Sequence, residues 1–272
     1  GVDISCDEFY HRLVDDPIHP TTSQPTPADF ADVYSKLAKE ADEIVSIHLS
    51  AKTSGTYNSA LQGRELAVTG CHIEVVDSFS VSMGLGLIAM AAAKLAKAGE
   101  DLQVVVEEVR QAIPHIRLLG VFDTLKYLLL GGRISKAKAI VGSILNVKPL
   151  ITMRDGELVQ AGQARTRSKG IERLSDLVKN ALNIQELAIV HSTTPSEATS
   201  LKERITSILD RKRIHIARLG SGLGVHGGPG TLILALREKI SSAGQEAGES
   251  EPSKKRLSLP SLHMPRLNFP HP

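Results

Sequence analysis

The stretch SIHLSAKTSGTYNSA, residues 46–60, begins as a strand and ends as a helix. Its first residues belong to the near-continuous apolar run EIVSIHLS (43–50), the look of a buried parallel strand. A helix from about Thr56 to Val68 follows. Between the two stand Ser50, Thr53, Ser54, Gly55 and Thr56, all small or hydroxyl-bearing. The junction's one lysine, Lys52, stands ahead of Gly55 and not after it, where a phosphate-gripping lysine belongs, and no catalytic base adjoins Ser54, so what the junction holds has to be read from its surroundings.

Upstream, Thr26 reads as the N-cap and Pro27 as the first residue of a helix, with Asp29 favourable in the first turn. Phe30, Val33, Tyr34, Leu37, Ala38 and Ala41 recur at helical spacing as its apolar face. Downstream come the strand IEVVD (73–77), a long apolar helix over 82–98, and a helix in LQVVVEEVRQAI (102–113). Val105, Val106, Val109 and Ile113 share one face of that last helix. Strands alternating with helices predict a parallel sheet covered on both faces.

The texture changes after Pro114. IRLLGVF (116–122) reads as a strand, and TLKYLLL (124–130) as a short helix ended by Gly131-Gly132. KPLITMRDGELVQAGQAR (148–165) reads as a hairpin turning at Asp155-Gly156. Helix 168–183, strand 187–191, helix 195–210 and strand 214–219 complete an α+β pattern with antiparallel pairing. The expected organisation is an α/β domain over 1–115 and an α+β domain over 116–240. Residues 241–272 hold five of the 13 prolines amid Ser, Lys and Glu, the composition of a disordered tail.

Composition narrows the function classes. With aromatics at 3% and no Trp, the core has to be aliphatic. A net charge of +2 is too slight to indicate nucleic acid or an acidic membrane surface as a partner. Two isolated cysteines, Cys6 and Cys71, suit a reducing compartment. No run reaches the roughly 18 apolar residues of a membrane span, and no signal peptide is visible, so a cytoplasmic protein is expected.

Three stretches carry candidate chemistry. At the strand-to-helix turn around Ser54, unpaired N–H groups and a positive dipole end attract anions, and hydroxyls add uncharged donors. The plainer reading has Ser54 or Thr56 capping its own helix. In SGLGVHGGPGTL (221–232), His226 precedes a glycine cluster that permits close backbone approach, and Pro229 reads as the first turn of a further helix. The alternative there is a surface loop with an incidental histidine. In TLKYLLLGGRIS (124–135), the glycine pair delivers Arg133, while Arg165 and Arg167 stand at the end of the hairpin. Each arginine also reads as a solvated surface charge. Ser54 lacks the G-x-S-x-G elbow of a nucleophile, and the scattered histidines and cysteines give no metal-ligand pattern.

Taken in order, TSQPTPADF (22–30), LSAKTSGTYNSA (49–60), VVDSFSVSMGLG (75–86), DTLKYLLLGGRIS (123–135), ILNVKPLITMRDGEL (144–158), QARTR (163–167) and GVHGGPGTL (224–232) resemble the DegV family. These are fatty-acid-binding proteins that include the lipid-carrying subunit of bacterial fatty acid kinase. The resemblance implies a two-domain α/β protein with one long-chain fatty acid between the domains. It implies that Thr22 and Ser54 hydrogen-bond the acyl carboxylate, with His226 close to the same head group and Arg133 and Arg165 as neighbours. It further implies a non-catalytic subunit without cofactor or metal, whose bound carboxylate a separate ATP-dependent kinase phosphorylates to an acyl phosphate. Family members usually begin with a further strand carrying Asp-Ser and then another strand, neither of which is seen here. Residues 129–130 are Leu-Leu where the family often shows charge.

Physical chemistry favours such a division of the ligand. A carboxylate taken out of water is costly unless charge or hydrogen bonds compensate it. At about 0.8 kcal/mol per buried CH₂, fourteen methylenes would offer roughly 11 kcal/mol before the costs of binding. Two other classes remain on the sequence alone: a serine hydrolase using Ser54 with His226, and a small-molecule phosphotransfer enzyme, from a distant likeness to dihydroxyacetone kinases.

Overall fold

The computed structural model of the chain describes residues 3–134 and 147–239; the tail read as disordered, 241–272, lies outside them. A first helix, α1 (Cys6–Asp15), is followed by α2 (Pro27–Leu37), β1 (Glu43–His48), α3 (Thr56–Leu66), β2 (His72–Asp77), α4 (Ser82–Ala98) and α5 (Leu102–Ala112). Then come β3 (Ile116–Val121), α6 (Lys126–Leu130), β4 (Lys148–Arg154), β5 (Glu157–Ala164) and α7 (Arg167–Lys179). The last described elements are β6 (Ile184–His191), α8 (Pro195–Ile205), β7 (Ile214–Arg218), α9 (Ser221–Gly227) and β8 (Leu232–Glu238).

The strands form two sheets. β1 and β2 pair in parallel, Glu43 opposite His72 through to His48 opposite Asp77. The other sheet is mixed, in the order β5-β4-β3-β8-β6-β7, with β6 and β7 parallel and the remaining pairs antiparallel. Its helix-covered core is aliphatic, as a chain without Trp requires: Leu174, Leu187, Ile189, Leu201, Leu232 and Leu234 are all fully buried. Beside β1, Val45 and Ile47 border an open groove of about 560 Å³, whose far wall is Ala89, Ala92, Ala93 and Ala96 of α4.

Local chemistry explains the element starts. Thr26 Oγ1 accepts from the Asp29 N–H (3.2 Å), and the Asp29 carboxylate accepts from the Thr26 N–H (2.7 Å), a reciprocal capping box ahead of Pro27. The face of α2 is narrower than its periodicity predicts. Tyr34 is buried, but Val33 and Leu37 are 49% and 44% exposed. α2 meets its neighbours along one line, where Phe30 and Tyr34 pack with Ile73 and Val75 of β2 and Ala60 of α3. Val33, one position off that line, looks outward, and Leu37 stands on the last residue of the helix.

The helix expected after Pro229 is instead β8. Six of its seven residues are buried, and its partners are β3 and β6. A short unbroken apolar run reads equally as buried strand or buried helix, and periodicity cannot separate them. Gly228 and Gly230, with φ of +74° and +71°, make the turn into it. Helices α7 and α8 also stop short of their expected ends, at Lys179 and Ile205.

The capping box fixes the segment that leads into α2, so its loss should register globally. We predict that Thr26→Ala lowers stability by about 1 kcal/mol, read as a reduced urea midpoint with an unchanged slope. An unaltered midpoint would show that the cap contributes nothing.

Candidate functional site

The turn after β1 divides its hydroxyls between two tasks. Ser50 is fully buried and donates to the Gly156 carbonyl at 2.7 Å, tying the turn to the β4–β5 hairpin. Thr53 Oγ1 donates to the Ser50 carbonyl at 2.9 Å. Thr53, Ser54 and Thr56 then border a cavity of about 260 Å³. Ser54 Oγ sits 2.8 Å from Thr56 Oγ1 and accepts from the Thr56 N–H at 3.3 Å. The residue at the N-cap of α3 is Gly55, which has no side chain to cap with. Ser54, one residue before the N-cap, takes the first N–H of α3, and the helix directs its positive end at the cavity.

Three further segments meet there. The extended stretch before α2 contributes Thr22, Ser23 and Gln24, all exposed. Gln24 lies over the turn so closely that a Cβ on Gly55 would come within 2.9 Å of its Nε2. The N-terminus of α4 contributes Ser82, in a helix whose N-cap, Val81, has no capping side chain. From α9 comes His226, whose Nε2 lies 3.1 Å from Thr22 Oγ1. Gly131, at the end of α6, makes room for that ring, since a Cβ there would sit 2.0 Å from His226 Nδ1. The glycine pair that reads as a helix stop thus also serves a close approach.

Arg133 borders the cavity too and donates to the Gly131 carbonyl. Burial, the Arg133 charge and His19 together push the His226 pKa down to about 4, so the ring is neutral at neutral pH. Arg165 is exposed and is not among the lining residues. Of the residues singled out from sequence, Thr22, Ser54, His226 and Arg133 converge on one cavity and Arg165 does not. Ser82 was not singled out, although DSFSVS (77–82) is a second strand-to-helix junction rich in hydroxyls, the same signal that marks Ser54.

The rest of the wall is apolar but for Thr231, whose hydroxyl donates to the Gly227 carbonyl at 2.7 Å. Val81, Leu219 and Ile233 belong to one buried cluster, Phe122 and Leu128 to another, and Leu158 packs against both. The arrangement is an apolar chamber with a hydroxyl-lined, partly exposed polar end. It suits a molecule with a long apolar body and an anionic head.

Fold and site thus define a two-sheet α/β protein with an apolar cavity that has one polar end. The family model described as "Uncharacterised protein, DegV family" matches residues 1–239, and the chain belongs to the DegV family. A DegV domain-containing protein of Caldanaerobacter subterraneus is 36% identical over 242 residues, 88% of this chain and 86% of the relative. The solved structure of a DegV family protein from Thermus thermophilus, described by its fatty acid binding, superposes with a TM-score of 0.79 at 30% identity, covering 87% of this chain and 85% of that one. DegV of Bacillus subtilis, described as a fatty acid binding protein, gives a TM-score of 0.76 at 28% identity, covering 88% and 86%.

The lowered His226 pKa has a consequence for stability. The unfolded chain takes up a proton near the ordinary histidine pKa, while the folded chain refuses it until about pH 4. Stability therefore falls as pH drops from about 6.5 to about 4. We predict that His226→Gln flattens this acid-side decline in urea titrations at successive pH values. Burial lowers the pKa of His48 and His191 as well, so a smaller slope remains. A slope identical to wild type would contradict the assignment.

Proposed function

We propose that this chain binds one long-chain fatty acid, its carboxylate held by Thr22 and Ser54 and its acyl chain lodged in the apolar cavity. The observation that carries this reading is the meeting of Thr22, Ser54 and His226 at one polar end of an otherwise apolar chamber. Membership of a family whose solved relatives are described as fatty acid binding supports it.

The chemistry follows from the donors. With a proton on Nε2, neutral His226 donates to Thr22 Oγ1, which leaves the Thr22 hydroxyl hydrogen free for a carboxylate oxygen. Ser54 Oγ accepts from the Thr56 N–H, and with Thr56 Oγ1 as the donor in the 2.8 Å contact between the two hydroxyls, the Ser54 hydrogen is available to a second oxygen. The positive ends of α3 and α4 and the guanidinium of Arg133 add attraction for the anion. Because the head group would meet the exposed segment at Thr22–Gln24, it can be reached from outside while the tail stays covered. This suits a non-catalytic cytoplasmic carrier that presents the carboxylate to a separate ATP-dependent kinase for conversion to an acyl phosphate. The hydrolase reading draws no support, since Ser54 Oγ pairs with Thr56 and His226 Nε2 pairs with Thr22. A serine nucleophile requires the two to pair with each other.

We predict that Thr22→Val and Ser54→Ala each weaken retention of a long-chain acid by roughly 10- to 100-fold, the loss expected for a hydrogen bond to a charged group. Native mass spectrometry and displacement of a fluorescent acid provide the readout. Folded variants that both retain acid like wild type would defeat the assignment.

A further inference from the structure

One part of the apolar wall is seated on a glycine. Phe122 follows β3 directly, two residues after Gly120, so both face the same side of the sheet. Gly120 stands opposite Ile233 of β8, and Phe122 and Ile233 both border the cavity. A Cβ at Gly120 would lie 2.7 Å from Phe122 Cε2 and 3.2 Å from Ile233 Cγ1. The ring thus rests directly on the bare backbone of Gly120.

The ring belongs to a buried cluster. Leu128, Ile134 and Ile151 are buried with it, at 3%, 4% and 0% exposure. Its backbone is anchored as well, the Phe122 N–H donating to the Pro149 carbonyl at 3.0 Å. An added methyl at residue 120 has to displace the ring, and the cavity that the ring borders is open space for it to enter. Gly120 itself has no left-handed φ that would forbid alanine.

We propose that Phe122, seated on Gly120, is the specificity-determining wall that sets which acyl chains the cavity accepts. This inference rests on the fatty-acid reading of the cavity and names what selects among acids within it. Filling the seat displaces the ring inward and excludes length or bulk. Trimming the ring opens the chamber to longer or branched chains. In a fitted apolar pocket, each methylene that no longer fits costs about 10-fold or more in affinity.

The test measures relative affinities for saturated acids of graded length, in competition, with wild type, Gly120→Ala, Phe122→Ala and the milder Phe122→Leu. Circular dichroism and thermal melts establish which variants are folded, and Phe122→Leu carries the test should the harsher changes unfold the chain. The expected result is a shift toward shorter acids for Gly120→Ala and toward longer ones for the Phe122 variants, with the long-to-short affinity ratio moving at least 10-fold. Folded variants that keep the wild-type ratio would overturn the inference while leaving the binding function intact. A wild type that takes up no acid at all would instead defeat the functional reading, and this inference with it.

Discussion

The 3.1 Å contact between Thr22 Oγ1 and His226 Nε2 joins segments 204 residues apart and closes the polar end of the cavity. Everything else at the site is arranged around making that contact possible. α9 has to bring His226 over the end of α6, which Gly131 allows by carrying no side chain. The segment before α2 has to hold Thr22 in place, which the Thr26–Asp29 box and the packing of Gln24 on Gly55 accomplish. The β1–α3 turn has to stay rigid enough to aim Ser54, and the bond from Ser50 to Gly156 fixes it to the hairpin.

The electrostatic design follows from what an anionic head group costs to bury. Compensation by a fully paired cation in an apolar site carries its own desolvation penalty. Here most of the donors are neutral: hydroxyls, helix-end N–H groups and an imidazole kept uncharged by burial and by Arg133. Neutral donors hold an anion while costing less to leave unliganded.

The legibility of the sequence varied with the kind of signal. A long apolar run placed α4, whose ends at Ser82 and Ala98 coincide with those expected, and cap chemistry placed the start of α2 at Pro27. The hairpin at Asp155-Gly156 was readable from turn chemistry alone, and both residues have positive φ. By contrast, α1 carried no recognised signal, and β8 was mistaken for a helix because a buried apolar run has no period to read. No sequence spacing relates Thr22 to His226; their pairing became legible only through the ordered family motifs. The roles of Gly120 and Gly131 were out of reach for a different reason. Each is defined by a ring that approaches it in three dimensions, Phe122 in one case and His226 in the other.

The central claim is that hydroxyls from two separate loops share a single buried lipid head group. A crystal structure of the chain with a long-chain acid tests it most directly. The account predicts carboxylate oxygens within hydrogen-bonding distance of both Thr22 Oγ1 and Ser54 Oγ, and an acyl chain running past Leu158 to Phe122. An acid seated elsewhere, or one whose carboxylate lies among the apolar residues with the hydroxyls unengaged, would contradict it.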